Sequence, residues 1–230
     1  MGQQIPLPLH LSQHTRLTDY IVGDNHGLLA LLQQQREQST QPLIYLTGAP
    51  GTGRTHLLLG QCHAAQAQGL RVAYLPVKQL LNSPPTVLEN LQRLDLLAVD
   101  DLQCIAGHTA WESALFNLFN QARDQACQLL FSAAEAASVM PFNLPDLRSR
   151  LSWGVTYRLK PLTDPQREQL LCQLAHRHGL TLADNVCRYL IQHYTRETTE
   201  LVRLINQLNQ ASLVAKRPLT LPFIRQLLRP

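Results

Sequence analysis

The sequence predicts an α/β nucleotide-binding domain, a parallel sheet covered by helices on both faces, followed by a small all-α domain. Three observations carry that expectation. A short, continuously apolar run, PLIYLT at 42–47, leads straight into the glycine-rich stretch GAPGTGRT at 48–55, and a helical pattern leaves it. Further apolar runs of strand length alternate with helical stretches as far as residue 159. After Pro161 only helical periodicity remains. These boundaries divide the chain into a flexible leader (1–15), the α/β domain (16–160) and a helical lid (161–230).

The elements follow in order. The leader is polar and proline-bearing, without helical periodicity. HGLLALLQQQREQ (26–38) reads as an amphipathic helix, and PLIYLT as a strand buried on both faces. RTHLLLGQCHAAQAQG (54–69) is a helix closed by Gly69. LRVAYLPV (70–77) is the next strand, then a proline-started helix at about 84–93, then the strand DLLAVDDL (95–102). Thr109 and Glu112 have capping-box spacing ahead of the helix WESALFNLFNQARDQ. CQLLFSA (127–133) and VTYRL (155–159) complete the strands, and helices follow at roughly 164–178, 183–194, 197–214 and 220–228.

Composition narrows the function classes. Hydrophobic residues make up 45% of the 230, enough for a core, yet no apolar run approaches a membrane span. The first residues lack a signal peptide's basic and apolar regions, and Pro6 breaks the myristoylation pattern. Five scattered cysteines form no C-x-x-C pair, and nine histidines show no ligand spacing, so neither a disulfide framework nor a zinc site is indicated. The reading is cytoplasmic. A net charge of +4 tolerates nucleic acid without demanding it.

Three stretches carry chemistry. In GAPGTGRT, Gly48, Gly51 and Gly53 let the backbone curl so that its N–H groups face a phosphate chain, and the following helix N-terminus adds positive potential. Thr55 offers a hydroxyl to magnesium, but the usual lysine is Arg54, whose planar fork is no substitute for a compact ammonium. LLAVDD ends a buried strand with Asp100 and Asp101, one acid to hold magnesium and one to polarise water. LPDLRSRLSWG (144–154) places Arg148 and Arg150 just before the last strand, where spacing alone reads as a solvated pair. In the leader, Gln4, Leu7 and Leu9 follow Q-x-x-L-x-L, an extended peptide with directional amide bonds, two leucines for an apolar pocket, and Pro6 and Pro8 to reduce its ordering cost.

Taken in order, YIVGDN (20–25), GAPGTGRT, LLAVDDLQ and LRSRLSWG resemble the nucleotide domain of the bacterial replication initiator DnaA, over about residues 16–228. DnaA continues into a helix-turn-helix domain; a DnaA-like core behind a short leader is similar to the Hda family of DnaA-related regulators that inactivate the initiator. The resemblance implies a P-loop AAA+ fold and ADP as cofactor, held by Tyr20, Val22, Asn25, Gly48, Gly51, Thr52, Gly53, Arg54, Thr55, Asp100 and Asp101, with magnesium at Thr55 and Asp100 if bound. It singles out Arg150 as an arginine finger acting in trans on ATP held by DnaA, and Gln4, Leu7 and Leu9 as the docking peptide for the DNA polymerase III sliding clamp loaded on DNA. By the same alignment the polar sensor position falls at Ala134 and the lid sensor arginine at Thr199, with Arg196 and Arg203 near it on one helix.

Each missing contact removes stabilisation aimed at the γ-phosphate, while the loop's N–H groups still suit a diphosphate. The expectation is therefore an ADP-bound negative regulator with weak or absent hydrolysis of its own. The alternative, an autonomous AAA+ ATPase of the helicase-loader type, would need the lysine and sensors and would have no use for a clamp peptide. A homo-oligomer and direct contact with DNA are left open.

Overall fold

The computed structural model describes residues 15–38, 43–89 and 91–228; Gln4, Leu7 and Leu9 lie outside the described residues. The chain divides into two compact units, one formed by the segments up to Ala49 and Gly53–Leu159, the other by Pro50–Thr52 and the chain from Lys160 onward.

The first unit is built on five strands, β1 (Leu43–Thr47), β2 (Val72–Pro76), β3 (Leu96–Asp100), β4 (Gln128–Ala133) and β5 (Val155–Arg158). They are all parallel, in the order β2-β3-β4-β1-β5. Strands β1, β3 and β4 are buried along their whole length, as their unbroken apolar runs require. Their side chains alternate between two cores. Ile44, Leu46, Ala98 and Leu130 pack with Leu28, Leu32, Leu57 and Leu58 from α1 (Leu28–Gln38) and α2 (Arg54–Ala67). Tyr45, Leu97, Val99 and Phe131 pack with Trp111, Leu115 and Phe119 of α4 (Thr109–Asp124) and Leu147 and Leu151 of α5 (Pro145–Leu151). The sheet is thus the middle layer of three.

Register brings the strand ends to one edge: Thr47 lies opposite Ala133, and Pro76 opposite Asp100. That carboxyl edge, beside the strand where the order reverses, is where open α/β sheets bind ligands.

Three local expectations need correction. The described residues of the 84–93 stretch do not form an α-helix. A one-turn helix, α3 (Val77–Leu80), precedes two 3-10 turns, Pro85–Leu88 and Leu91–Arg93, because packing of Leu80, Leu88 and Leu91 onto the core holds the chain in i→i+3 turns. The box at Thr109 is also absent: His108 is the N-cap of α4 and Thr109 is already inside the helix. Glu112 is instead fully buried and accepts the backbone N–H groups of Gly107 and Leu144, both at 2.8 Å. Finally, Arg148 and Arg150 sit on α5, a helix the sequence pattern did not announce.

The second unit contains α6 (Asp164–Arg177), α7 (Asp184–His193), α8 (Thr198–Ala215) and α9 (Leu221–Leu227) around its own core of Leu171, Val186, Leu190, Leu204, Leu208 and Ile224. A capping box does open α6, between Thr163 and Gln166, whose side-chain oxygen accepts the Thr163 N–H at 2.8 Å. No described helix is long and apolar enough to cross a membrane.

Candidate functional site

The glycine-rich loop joins β1 to α2, and Gly51 and Gly53 both take positive φ, 80° and 90°. Gly53 has a second constraint, since a Cβ there would come within 2.7 Å of the Tyr20 ring. Tyr20 therefore lies directly against the loop. Its hydroxyl accepts a hydrogen bond from Asn25 Nδ2 at 3.2 Å, Asn25 is buried, and the Asn25 N–H bonds to the Val22 carbonyl. Burial, with a smaller effect from Tyr157, pushes the Tyr20 phenol up to about 12, so it stays neutral. The structure thus gathers Tyr20, Val22 and Asn25 into one packed turn against the loop.

Asp100, at the end of β3 and nearly fully buried, is surrounded by donors. Thr55 Oγ1 donates to it at 2.6 Å, Tyr74 Oη at 2.8 Å, the Asp101 N–H at 3.1 Å, and Ser132 Oγ makes a further short bond. Burial, then the Asp100 charge, drives the Tyr74 phenol well above its ordinary range, so it remains a donor. Tyr74 on β2 and Ser132 on β4 are site residues that motif spacing missed. A strand-end tyrosine or serine has no signal until strand order makes it a neighbour of the acid.

Asp101 stands in the left-handed region, φ 59°. Arg54 Nη2 pairs with its Oδ1 at 3.2 Å, and Gln103 Nε2 donates to the same oxygen at 2.8 Å. The other end of Gln103 accepts the Ala134 N–H at 3.1 Å. Gln103, also missed, therefore ties the second acid to the Ala134 backbone, at the position the DnaA resemblance assigns to a polar sensor.

The Arg54 side chain is only 11% exposed, and its Nη1 is buried without a partner among the described residues. A buried guanidinium N–H without an acceptor costs more than the ~1–3 kcal/mol of a neutral donor. The residues present fit a phosphate chain. Thr55 and Asp100 add two oxygen donors of the kind magnesium takes. No cluster of three or more His, Cys, Asp or Glu side chains suited to a metal occurs among the described residues.

Arg150 is elsewhere in the same unit, in the last turn of α5. Its guanidinium lies 4.0 Å from the centroid of the Trp153 ring, and Arg123 reaches the same ring at 5.9 Å. Trp153 is 58% exposed, unusual for so large an apolar ring. Arg150 is half-exposed and has no ion pair among the described residues; Arg148 is exposed. Thr199 is exposed on α8. Arg203 shares that helix and pairs with Glu200, but Arg196 precedes the N-cap and pairs with Asp164 at 3.4 Å, so the two are not on one helix.

Comparison with known proteins gives two family matches: the bacterial DnaA ATPase domain over residues 25–158, and the lid domain of Hda over residues 164–228. Among solved structures, domain III of the Thermotoga maritima replication initiation protein DnaA is 21% identical with a TM-score of 0.83, covering 96% of this chain and 98% of that one. AMPPCP-bound DnaA from Aquifex aeolicus is 22% identical with a TM-score of 0.74, covering 88% and 67%. The Thermotoga maritima RuvB branch migration motor is 18% identical with a TM-score of 0.66, also covering 88% and 67%. At these identities the solved structures establish a shared fold.

Proposed function

The chain belongs to the bacterial DnaA ATPase-domain family, as an Hda-like, DnaA-related AAA+ protein, and from that premise we propose that it is a cytoplasmic negative regulator of DNA replication initiation. It holds ADP, docks on the sliding clamp, and donates Arg150 to ATP bound by DnaA, speeding hydrolysis there rather than in its own site.

The observation that carries this reading is the Arg150–Trp153 stack. A half-exposed guanidinium without an acid partner, resting on the face of an exposed ring, is available to a phosphate on another molecule. Its fork meets two phosphate oxygens at once and keeps its charge. The ring limits the side chain's freedom beforehand, so less is lost on engagement. Upstream, Glu112 supports α5 by accepting the Leu144 N–H at the helix N-cap.

The protein's own loop supports holding over hydrolysis. Asp101, the acid that would polarise water, is already engaged by Arg54 and Gln103. Ala134 and Thr199 offer no cation or sensor amide. Arg54 has one arm on Asp101 and the other buried without a partner among the described residues, so it is not free to bridge to a γ-phosphate as a lysine ammonium would. AMPPCP-bound DnaA makes an adenine nucleotide a fitting ligand for this fold. Clamp docking rests on Gln4, Leu7 and Leu9 and on the family resemblance.

The test is a reconstitution in which DnaA carries ATP and this protein, clamp and DNA are each omitted in turn. Turnover on DnaA is expected only with all components present. Gln4→Ala or Leu7→Ala should lose clamp binding with thermal stability and ADP affinity unchanged. Full stimulation without the clamp contradicts the docking step, and rapid ATP turnover by this protein alone favours the autonomous ATPase.

A further inference from the structure

The opposite edge of the sheet carries a second feature. There, just ahead of β2, β3 and β4, a cavity of about 390 Å³ is lined by Arg36, Arg71, Arg93, Asp95, Gln125 and Gln128, among others. Its volume is in the range of small-molecule sites, about 300–1,000 Å³. It lies at the strand N-termini, whereas the phosphate loop and Asp100 lie at the C-termini.

Three guanidiniums and one carboxylate line the cavity. Arg71 is satisfied: its Nε and Nη2 donate to Asp95 at 3.1 and 2.9 Å, its backbone N–H bonds to the same carboxylate at 2.7 Å, and these bonds hold the Asp95 carboxyl below its usual range. Arg36 is not. It is half-buried near the end of α1, and Nη1 donates at 2.6 Å to the neutral Gln61. Its Nε is buried without a partner among the described residues. Burial lowers its pKa, with the exposed Glu37 next to it opposing only in part. Arg93 is exposed and has no ion pair among the described residues. Two positive charges on this wall therefore have no carboxylate in hydrogen-bond contact among the described residues. The wall also contains Ala126 at φ 56°, a left-handed conformation that glycine would adopt without a Cβ penalty.

We propose that this cavity is a phosphate-binding site separate from the nucleotide loop, with Arg36 and Arg93 as its ligand-contacting residues. A half-buried guanidinium whose hydrogen bond goes to a neutral amide gains from an anion, because its burial already bears part of the desolvation cost. Phosphate suits it better than carboxylate: a dianion matches two unpaired charges, and its tetrahedral oxygens can meet two forks from different directions. The phosphate belongs either to a small phosphorylated ligand or to a nucleic-acid backbone.

The test titrates the full chain with inorganic pyrophosphate by calorimetry, in the wild type and in Arg54→Ala, which removes the loop's cation. Saturable binding that survives Arg54→Ala is expected. Arg93→Ala, on an exposed side chain, should weaken that binding at least fivefold, and Arg36→Gln at least tenfold. ADP affinity should stay unchanged in both, so the readout does not depend on the function proposed above. If Arg36→Gln fails to fold, Arg93→Ala decides. Displacement of pyrophosphate by a thymidylate decamer identifies a nucleic-acid backbone as the source, whereas no displacement assigns a small ligand. Absence of binding at millimolar pyrophosphate, loss of it in Arg54→Ala, or equal binding by wild type and Arg93→Ala overturns the proposal.

Discussion

Arg54 and Arg150 belong to the same α/β unit and live in opposite surroundings. Arg54 is almost enclosed, with one arm on Asp101 and the other buried and unfilled, inside a network that also fixes Thr55, Asp100, Tyr74, Ser132 and Gln103. Arg150 is held by a single aromatic face on a short helix at the surface. On the function proposed above, the difference separates a site that retains nucleotide from one that presents a cation to a partner. A network that satisfies both acids internally is poorly arranged to activate water. An arginine with no ion pair among the described residues and stacked on a ring fits the proposed role of acting on something brought to it.

The sharpest way to break the comparison is Arg150→Ala. Fingers donated in trans are worth about 10³–10⁵ in rate, so stimulation of DnaA hydrolysis should fall nearly to background while ADP affinity and clamp binding hold. Arg150→Lys should fare little better, since a point charge lacks the fork. A dead Arg148→Ala beside an active Arg150→Ala would move the role to Arg148.

Next in size is Glu112→Ala, which leaves the Gly107 and Leu144 N–H groups without their acceptor in the interior. The expected cost is about 3 kcal/mol, measured by urea unfolding. Glu112→Gln, which keeps one carbonyl oxygen, should cost less. Equal stability in Glu112→Ala would mean that α5 is held by apolar packing alone.

Trp153→Ala should be milder. Removing a half-exposed cation–π contact of about 0.5–2 kcal/mol lowers stimulation roughly twofold to thirtyfold, and Trp153→Phe should recover much of it. Thermal stability should change little because the ring is exposed. If phenylalanine is no better than alanine, the ring does something other than support Arg150.

Smallest is Arg54→Lys. It restores the usual loop residue but leaves Ala134, Thr199 and the Gln103–Asp101 bond in place. ADP affinity should change by less than about tenfold, and hydrolysis by the isolated protein should stay slow. A large gain in turnover would show that Arg54 alone restrains the site.

Much of this was legible in the sequence, for physical reasons. Strands buried on both faces need unbroken apolar runs, so β1, β3 and β4 declared themselves. The glycines of the loop and the paired Asp100 and Asp101 are short-range signals that survive without tertiary information. The rest depended on neighbours far along the chain. Pro84 and Pro85 suggested a helix start, but anchoring of Leu88 and Leu91 in the core favoured two tight turns instead. Thr109 and Glu112 had capping-box spacing, yet the carboxylate was needed 32 residues away at Leu144. Ser132 and Tyr74 look like ordinary polar residues until strand order places them beside Asp100, and only the Ala134 end of Gln103 depends on a distant strand. Seven residues of α5 are too few for periodicity to reveal.

The central claim is that nucleotide is held in this protein and hydrolysed in its partner. The most direct measurement loads DnaA with γ-labelled ATP and this protein with unlabelled ADP, then combines them with clamp and DNA and follows release of labelled phosphate. A second reaction incubates this protein alone with γ-labelled ATP. The account predicts rapid release in the first reaction, abolished by Arg150→Ala, and almost none in the second. Rapid release in the second, or release in the first that is indifferent to Arg150→Ala, would contradict it.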